Sequence, residues 1–235
     1  RKAGLEIDGI VPITLAERNL ILDKNELHDN IMLLDIGAGN TDIGVFEGTT
    51  FLYTNSIPLG GDNITNDIAL VLNISEEEAD KLKRQYGLAL KSFIDNDNDI
   101  ILNTCKDNNK NKIIKSSELI EIIEARIEEM FSIINKDITN QGLKQKINNV
   151  VLTGQGIVNI NKSDVAGKIN LNIPVKISTG RAISTVKPIY RTSYALVRYI
   201  AARPFAKTVS SSIDTQNNES FMKNIWERIK EFFYS

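Results

Sequence analysis

Residues 31–46 read IMLLDIGAGNTDIGVF, and they are the most informative segment for the architecture of this chain. An apolar run of strand length is followed by the turn GAGN and then by a second apolar run. Glycine and asparagine between two such runs are typical of a tight connection between strands. A third run, FLYTNSIPL at 51–59, follows Gly48. The three runs therefore predict an antiparallel meander.

The turn between the first two runs has the composition of a phosphate-binding loop. Gly37 and Gly39 would let backbone N–H groups approach a phosphate closely, and Asn40 tolerates a left-handed backbone. The hydroxyl of Thr41 can donate to a phosphate oxygen. Asp35 ends a buried strand, where a carboxylate is costly unless it meets donors or a cation such as hydrated Mg²⁺. A plain hairpin turn uses the same residue types and stays open as the alternative.

Two further glycine turns follow strands. The segment PLGGD at 58–62 leads into a helix, whose N-terminal N–H groups and dipole favour anions. The alternative is a simple strand-to-helix turn with Asp62 as the N-cap. The segment VVLTGQG at 150–156 ends in a turn against which a base or a ribose can lie, or in an ordinary turn. The candidate ligand-binding residues of these turns are Gly60, Gly61, Gly154, Gln155 and Gly156.

A charged helix lies between these turns. Ser75 and Glu78 form the pattern of a capping box, and Gly87 ends the helix as a left-handed C′ residue. The spacing of Asp80, Lys83 and Arg84 places them on one helix face, where they could bracket the polar edge of a nucleotide. A solvated salt bridge is the alternative interpretation of these three charges.

The remaining segments complete an α/β pattern. Residues 10–27 predict a short strand and then a helix, and residues 95–112 predict a surface loop or hairpin. Apolar residues at helical spacing predict a long amphipathic helix over 117–136. IPVKIS at 173–178 predicts a strand, and a helix ending before Pro204 is expected after Pro188.

Composition excludes several classes of protein. The 235 residues contain 28 Lys+Arg and 30 Asp+Glu, so a net charge of -2 gives no basic surplus for nucleic acid, and we expect no such partner. One Cys and one His exclude an intrachain disulfide framework and most metalloenzyme sites. The chain begins with Arg1 rather than Met, from which we expect it to be a fragment that lacks its N-terminal part; removal of a Met by processing is the alternative.

The last residues predict a membrane-binding helix. Residues 207–220 are almost devoid of apolar side chains and predict a flexible linker. In residues 221–235 the apolar side chains fall within an arc of roughly 140° at 100° per residue. Such a helix is too short to span a bilayer but can lie in its interface; packing on its own domain is the alternative. The predicted membrane-binding residues are Phe221, Met222, Ile225, Trp226, Ile229, Phe232 and Phe233.

The order of these motifs resembles the second half of the actin/Hsp70/hexokinase-type ATPases. Within them the chain is most similar to the bacterial cell-division family FtsA, through AGLEIDGIV, IPLGGDNITNDIA, EEEADKLKRQYG, VVLTGQG and the amphipathic tail. The resemblance implies that the Asp-Gly hairpin holds the phosphates of ATP with Mg²⁺, and that the later glycine turn holds the adenosine. It also implies that the charged helix flanks base and ribose. The family usually has Gly at Ala38, Asn40 and Gln155, and Glu at Asp80.

The resemblance also implies a domain organisation. It predicts an α/β, actin-like (ribonuclease H-like) second lobe with a smaller inserted α+β subdomain. Residues 1–27 would end a missing first lobe that supplies half of the ATP cleft. Residues 28–62 and 150–206 would form the core, residues 63–149 the insertion, residues 207–220 the linker, and residues 221–235 the amphipathic helix.

The implied function is that of an ATP-binding adaptor with weak ATPase activity at most. It would anchor the tubulin-like FtsZ filament to the cytoplasmic face of the membrane at the septum and help to recruit the divisome. The FtsZ tail would dock on the insertion, and copies of the chain would form an actin-like filament. The alternatives are other actin-fold ATPases of the pilus-assembly, shape-determining or chaperone type.

Overall fold

A computed structural model describes residues 9–102, 112–178 and 190–202. In this part of the chain the strands form a five-stranded sheet and a two-stranded sheet. The strands are β1 Ile31–Ile36, β2 Thr41–Glu47, β3 Thr50–Ile57, β4 Asp99–Leu102, β5 Lys112–Lys115, β6 Asn149–Thr153 and β7 Val175–Ile177. The α-helices are α1 Ile13–Ile21, α2 Gly61–Leu72, α3 Glu76–Tyr86, α4 Ser116–Asn140, α5 Ser163–Leu171 and α6 Arg191–Ala201.

The large sheet has the strand order β3-β2-β1-β6-β7. The first three strands pair antiparallel, so the predicted meander is confirmed. β6 lies parallel to β1, and β7 lies parallel to β6. In the first hairpin Asp35 lies opposite Asp42, and Ile36 lies opposite Thr41, so the turn occupies residues 37–40.

The central strand β1 is buried on both faces because helices cover each side of the sheet. Met32 and Leu34 belong to the core cluster that includes side chains of α2 to α5. Ile31 and Leu33 belong to a second cluster with side chains of α1 and α6. Because side chains alternate along a strand, Asp35 falls on the face covered by α1 and α6.

The segment between β3 and β6 contributes to one continuous core with the sheet. α4 buries the predicted stripe and extends four residues beyond the predicted 117–136, to Asn140. Arg126 of α4 forms a bidentate pair with Asp67 of α2, with N–O distances of 2.5 and 2.8 Å. The buried residues of the stripe are Ile120, Ile123, Ile127, Met130 and Ile134.

Three local predictions meet a definite outcome. For the surface loop or hairpin predicted over 95–112, the structure shows an antiparallel pair of β4 with β5, and β5 extends to residue 115. The short strand predicted before α1 is absent from residues 10–12, where Pro12 lacks the N–H that a ladder requires and precedes the helix instead. Gly87 has φ −58°, so it is not a left-handed C′ residue. Its glycine is needed because a Cβ there would overlap the carbonyl oxygen of Lys83.

The predicted linker and tail helix lie outside the described residues, as do all of the predicted membrane-binding residues. Within the described residues no helix is both long enough and apolar enough to cross a bilayer.

Candidate functional site

The three glycine turns meet at one end of the large sheet. The N–H of Gly61 donates to the carbonyl of Gly37 over 2.9 Å, and the N–H of Asp62 donates to that of Ala38 over 2.8 Å. The N–H of Gly156 donates to the carbonyl of Ile36 over 2.9 Å. The turns at 37–40, 58–62 and 154–156, which the sequence singled out separately, therefore form one backbone cluster, hereafter the turn cluster.

Four of the glycines are required by this packing. A Cβ on Gly60 would overlap the carbonyl of Ala38, and one on Gly61 would overlap Gly156. A Cβ on Gly154 or on Gly156 would overlap the carbonyl of a residue in the first turn or just before it. Gly154 also has φ +99°, which side chains rarely tolerate. The close approach of three turns accounts for these four glycines without any ligand.

Gly39 is different, because nothing in the protein requires a glycine there. A Cβ on Gly39 would have no atom within 4 Å, and its φ lies outside the left-handed region. Ala38 and Gly39 are exposed. Among the described residues no acceptor pairs with their N–H groups. The turn therefore offers open space and free donors at the surface, which is what an anion requires.

The N–H groups in the first turn of α2 already have protein acceptors, contrary to the sequence prediction. Its first two N–H groups donate to the first turn, and the N–H of Asn63 donates to the carbonyl of Gly60 over 3.1 Å. Gly60 is the N-cap in place of Asp62, and its own N–H donates to Oδ1 of Asn63 over 2.8 Å. The expectation of free N–H groups at this helix end is therefore wrong for the first turn of α2.

Thr41 and Asn40 also have protein partners. The Thr41 hydroxyl donates to the carbonyl of Leu59 over 2.8 Å, and the side chain is buried. This bond fastens the first turn to the second and directs the hydroxyl proton away from solvent. The Asn40 amide donates to Asp42 over 3.0 Å and to Ser56 over 3.2 Å. Asn40 does not adopt the left-handed backbone that the sequence allowed.

The charged helix α3 contacts the turn cluster through Lys83. Its ammonium lies 3.1 Å from the carbonyl oxygen of Gly61, 2.6 Å from Oγ1 of Thr65 and 3.0 Å from Oδ1 of Asp80. Nε of Arg84 donates to the other oxygen of Asp80 over 2.7 Å. Asp80, Lys83 and Arg84 do share one face, as predicted. Ser75 caps the helix by accepting from the N–H of Glu78.

Burial and charge act in opposite directions on Asp80. Desolvation raises the pKa of its carboxyl, but the hydrogen bonds and charges of Lys83 and Arg84 outweigh it and leave the pKa below the ordinary value. The Lys83 side chain is 11% exposed, whereas that of Arg84 is 74% exposed. Of Asp80, Lys83 and Arg84, Arg84 is therefore the one whose side chain a ligand in solution reaches most easily.

Gln155 is the exposed member of the third turn. Its side-chain oxygen accepts from the amide of Asn159 over 3.4 Å. Its neighbours Gly154 and Gly156 are buried beneath it. The exposed part of this turn is therefore Gln155.

A buried charged cluster beside the turns was not predicted. Arg191 of α6 donates to Oδ1 of Asp35 over 2.7 Å, to Oγ1 of Thr153 over 3.1 Å and to Oε1 of Glu17 over 3.2 Å. Thr192 also donates to Glu17, over 3.1 Å. Glu17 is fully buried, and its Oε2 has no partner. We call these four residues, Glu17, Asp35, Thr153 and Arg191, the buried charge cluster.

The ionisation of this cluster follows from its burial. Desolvation, reinforced by the charge of Asp35 and opposed by Arg191, raises the pKa of Glu17 from 4.5 to about 7. Desolvation lowers the pKa of Arg191, but the two carboxylates outweigh it and raise the pKa above the ordinary value. Glu17 gives a weak signal in the sequence, as a charge within the apolar segment ITLAERNLI. Nothing in the sequence points to Arg191.

Asp35 could contribute to a magnesium site only by sharing its carboxylate between the ion and Arg191. Mg²⁺ in nucleotide sites is usually held by one or two carboxylates, by phosphate oxygens and by water. Asp35 provides one such carboxylate immediately before the first turn, but its Oδ1 already accepts from Arg191. Within the described residues no group of three or more His, Cys, Asp or Glu side chains could hold a metal. A hydrated ion would therefore have to share Asp35 with the guanidinium.

Solved structures show which fold this is. MreB5 of Spiroplasma citri bound to ADP superposes with a TM-score of 0.64 at 17% identity, covering 85% of this chain and 62% of that chain. A PilM–PilN type IV pilus biogenesis complex gives a TM-score of 0.56 at 15% identity, covering 80% of this chain and 50% of that one. The fold is therefore that of the actin-like ATPases, as predicted.

Sequence comparison identifies the family. The profile of "Cell division protein FtsA" matches residues 32–202. The protein of that name from Bacillus subtilis is 33% identical over 198 residues, covering 84% of this chain and 44% of the relative. The one from Pseudomonas aeruginosa is 27% identical over 239 residues, covering 99% of this chain and 57% of the relative. The chain spans about half the length of these curated relatives, and it belongs to the FtsA family of cell-division proteins.

Proposed function

We propose that the turn cluster is one wall of an ATP site. The phosphates lie over Ala38 and Gly39, the adenosine lies on the turn of Gly154, Gln155 and Gly156, and α3 flanks the ribose and base. The observation that carries this proposal is the open, donor-bearing surface of the first turn, where Gly39 has no structural reason to be glycine. The ADP bound to the similar MreB5 structure supports a nucleotide as the ligand class.

In this proposal some residues contact the nucleotide and others position the turns and α3 around it. Gly37, Gly39 and Asn40 shape the phosphate turn, and the N–H groups of Ala38 and Gly39 donate to the phosphates. Gly60, Gly61 and Thr41 hold the second turn against the first and so position it. Asp80 and Lys83 fix α3 beside the cluster, and the exposed Arg84 contacts the nucleotide. Asp35 would hold Mg²⁺ through a water molecule, and the ion would supply positive charge to the phosphates.

We also infer the cellular function from family membership and from the sequence of the tail. The complete protein is an adaptor that attaches the FtsZ filament to the cytoplasmic face of the membrane at the septum and helps to recruit the divisome. The helix predicted over 221–235 docks in the membrane interface, and the FtsZ tail docks on residues 63–149. Copies of the chain assemble into a filament, which multiplies the weak attachment of each tail.

This adaptor requires binding and release of nucleotide more than rapid turnover, so we propose weak ATPase activity at most. A pilus-assembly, shape-determining or chaperone protein would share the fold. Membership in the FtsA family favours the division adaptor over these alternatives.

The nucleotide proposal is tested by titrating a fluorescent ATP analogue into the protein expressed from its full open reading frame, with Mg²⁺ and with EDTA. We expect saturable binding that unlabelled ATP displaces and that Gly39→Val weakens at least tenfold, about 1.4 kcal/mol. Absence of saturable binding by the folded wild type would refute an ATP site.

The adaptor proposal is tested separately by sedimentation with liposomes and with FtsZ filaments. The protein should carry FtsZ into the liposome pellet, and removal of residues 221–235 should leave FtsZ in the supernatant. If the truncated protein recruits FtsZ to liposomes as well as the intact one, the tail is not the anchor.

A further inference from the structure

Arg191 joins α6 to Asp35, two residues before the first turn of the turn cluster, which is the proposed phosphate turn. Its guanidinium reaches three elements at once, through Asp35 at the end of β1, Thr153 at the end of β6 and Glu17 in α1. Arg191 is 8% exposed, and Asp35 is also 8% exposed. A planar guanidinium with several bonds in a buried place fixes both partners geometrically.

α6 is attached to the described part of the chain by polar bonds at its N-terminus and by apolar packing on α1. Of its eleven residues, only Arg191 and Ala195 are buried. Val197 and Ile200 are 66% and 56% exposed. Tyr194, Leu196 and Tyr199 are only partly buried against the cluster beneath the helix. The N-terminus of α6 is therefore held by Arg191, which bonds to the sheet at Asp35 and Thr153, and by Thr192, which bonds to Glu17 of α1.

The Asp35 carboxylate lies directly against the turn cluster, where a ligand of that cluster could contact it. A Cβ built on Gly154 would lie 2.5 Å from Oδ1 of Asp35, so the oxygen that accepts from Arg191 lies directly beneath the third turn. Ile36, the next residue, accepts the hydrogen bond that holds this turn in place. A cation attracted to the Asp35 carboxylate must therefore compete with Arg191 for its negative charge.

We propose that Arg191 is a positioning residue that fastens α6 to the phosphate turn through Asp35, so that binding of Mg²⁺-nucleotide weakens the attachment of α6. This inference rests on the proposed ATP site. When a hydrated cation shares the Asp35 carboxylate, the bond from the Arg191 guanidinium to Oδ1 would weaken and α6 would be held less firmly. By reciprocity, loss of Arg191 strengthens Mg²⁺-nucleotide binding by the same factor by which that ligand loosens α6.

The attachment itself is measured by hydrogen exchange of peptides within 190–202 in nucleotide-free protein expressed from its full open reading frame. Asp35→Asn and Arg191→Met should each speed exchange in α6 at least tenfold. Asp42→Asn is the matched control, since Asp42 lies opposite Asp35 in the hairpin but is bonded to Asn40. It should leave α6 unchanged. Exchange in α4 reports whether each variant is folded.

Wild-type exchange rates for α6 in a folded Asp35→Asn protein would overturn the proposal. If Asp35→Asn fails to fold, Arg191→Lys decides instead, because it keeps the charge and the stem but loses the planar fork. It should speed exchange in α6 severalfold, and wild-type rates would overturn the proposal.

The coupling is measured with saturating ADP, with Mg²⁺ and with EDTA. Mg²⁺-ADP should speed exchange in α6 of the wild type, ADP with EDTA should not, and Arg191→Met should bind Mg²⁺-ADP more tightly. Binding of Mg²⁺-ADP with unchanged exchange in α6 would overturn the coupling alone. Absence of any nucleotide binding would overturn the proposed function and the coupling with it, while the nucleotide-free comparison still decides the attachment.

Discussion

The ammonium group of Lys83 in α3 lies 2.6 Å from the hydroxyl oxygen of Thr65 in α2. The Thr65 hydroxyl lies 3.2 Å from the carbonyl oxygen of Gly61, which Lys83 also contacts. Lysine is rarely this buried unless it is paired. The two bonds to α2 and the pair with Asp80 in α3 provide that compensation, so Lys83 is a structural residue as well as a candidate ligand residue.

Lys83→Met should lower the free energy of unfolding by about 1–3 kcal/mol, because the buried groups around Asp80 and Thr65 lose a charged partner. Arg84→Met is the matched control on the same helix face. Its pair with Asp80 is exposed, so its effect should stay within about 0.5 kcal/mol. Urea unfolding of both variants measures the difference. Equal effects would show that Lys83 is not the structural member of the pair.

Gly39→Ala separates ligand binding from folding. A methyl group there meets no protein atom, so stability should stay within about 0.5 kcal/mol of the wild type. ATP affinity should fall, because the methyl group lies where the phosphates approach. Gly156→Ala should instead lower the free energy of unfolding by about 2 kcal/mol or more, since its Cβ overlaps the first turn. Unchanged ATP affinity in Gly39→Ala would remove this position from the site.

Glu17 should make the protein less stable as the pH rises. Its pKa is raised from 4.5 to about 7 in the folded state, so the folded protein holds a proton that the unfolded chain releases. The resulting stabilisation is complete below about pH 4.5 and is lost as the pH rises through about 7. Glu17→Gln should remove this loss, which amounts to roughly 3 kcal/mol at most.

The measurement for Glu17 is the free energy of unfolding on both sides of this pH window, in EDTA. Glu128→Gln, on an exposed part of α4, is the control for removing a carboxylate and should follow the wild type. A Glu17→Gln protein with the same pH dependence as the wild type would contradict the prediction.

Ile229→Glu should abolish binding to liposomes if the tail helix docks in the membrane interface. A carboxylate at this position would have to enter the acyl boundary, whereas Glu231→Lys changes the polar side and should be tolerated. The net charge of the tail is small, so apolar burial must dominate the binding energy. Co-sedimentation of both variants with anionic and neutral liposomes measures this. Retained binding by Ile229→Glu would contradict the interfacial helix.

Much of the fold could be predicted because its signals are local. The meander follows from three short apolar runs separated by turn residues, and α4 follows from a stripe at helical spacing. The approach of the three turns depends on strand order, which no local pattern reveals. The family resemblance predicted only that the first and third turns serve one nucleotide. The short strand predicted before α1 is wrong, because an apolar segment beginning at Ile10 is compatible with either a strand or a helix.

The buried charge cluster could not be predicted because its members are far apart in sequence. Arg191 and Asp35 are 156 residues apart, and an arginine at the start of a helix is ordinarily exposed. The functions of the glycines were also ambiguous. The sequence does not distinguish a glycine that lets a ligand approach from one that lets another turn approach. Only the structure separates Gly39 from Gly60, Gly61 and Gly156.

The interlocking of the turn cluster has an evolutionary consequence. Gly60, Gly61, Gly154 and Gly156 each occupy volume that borders the main chain of another turn, so a larger residue at one position requires a shift elsewhere. Descendants of this sequence can replace them only through coordinated changes, whereas Gly39 is free to drift wherever selection for its ligand is relaxed. The substitution record at residue 39, compared with that at the four interlocked glycines, would therefore reveal which lineages have abandoned the ligand while keeping the fold.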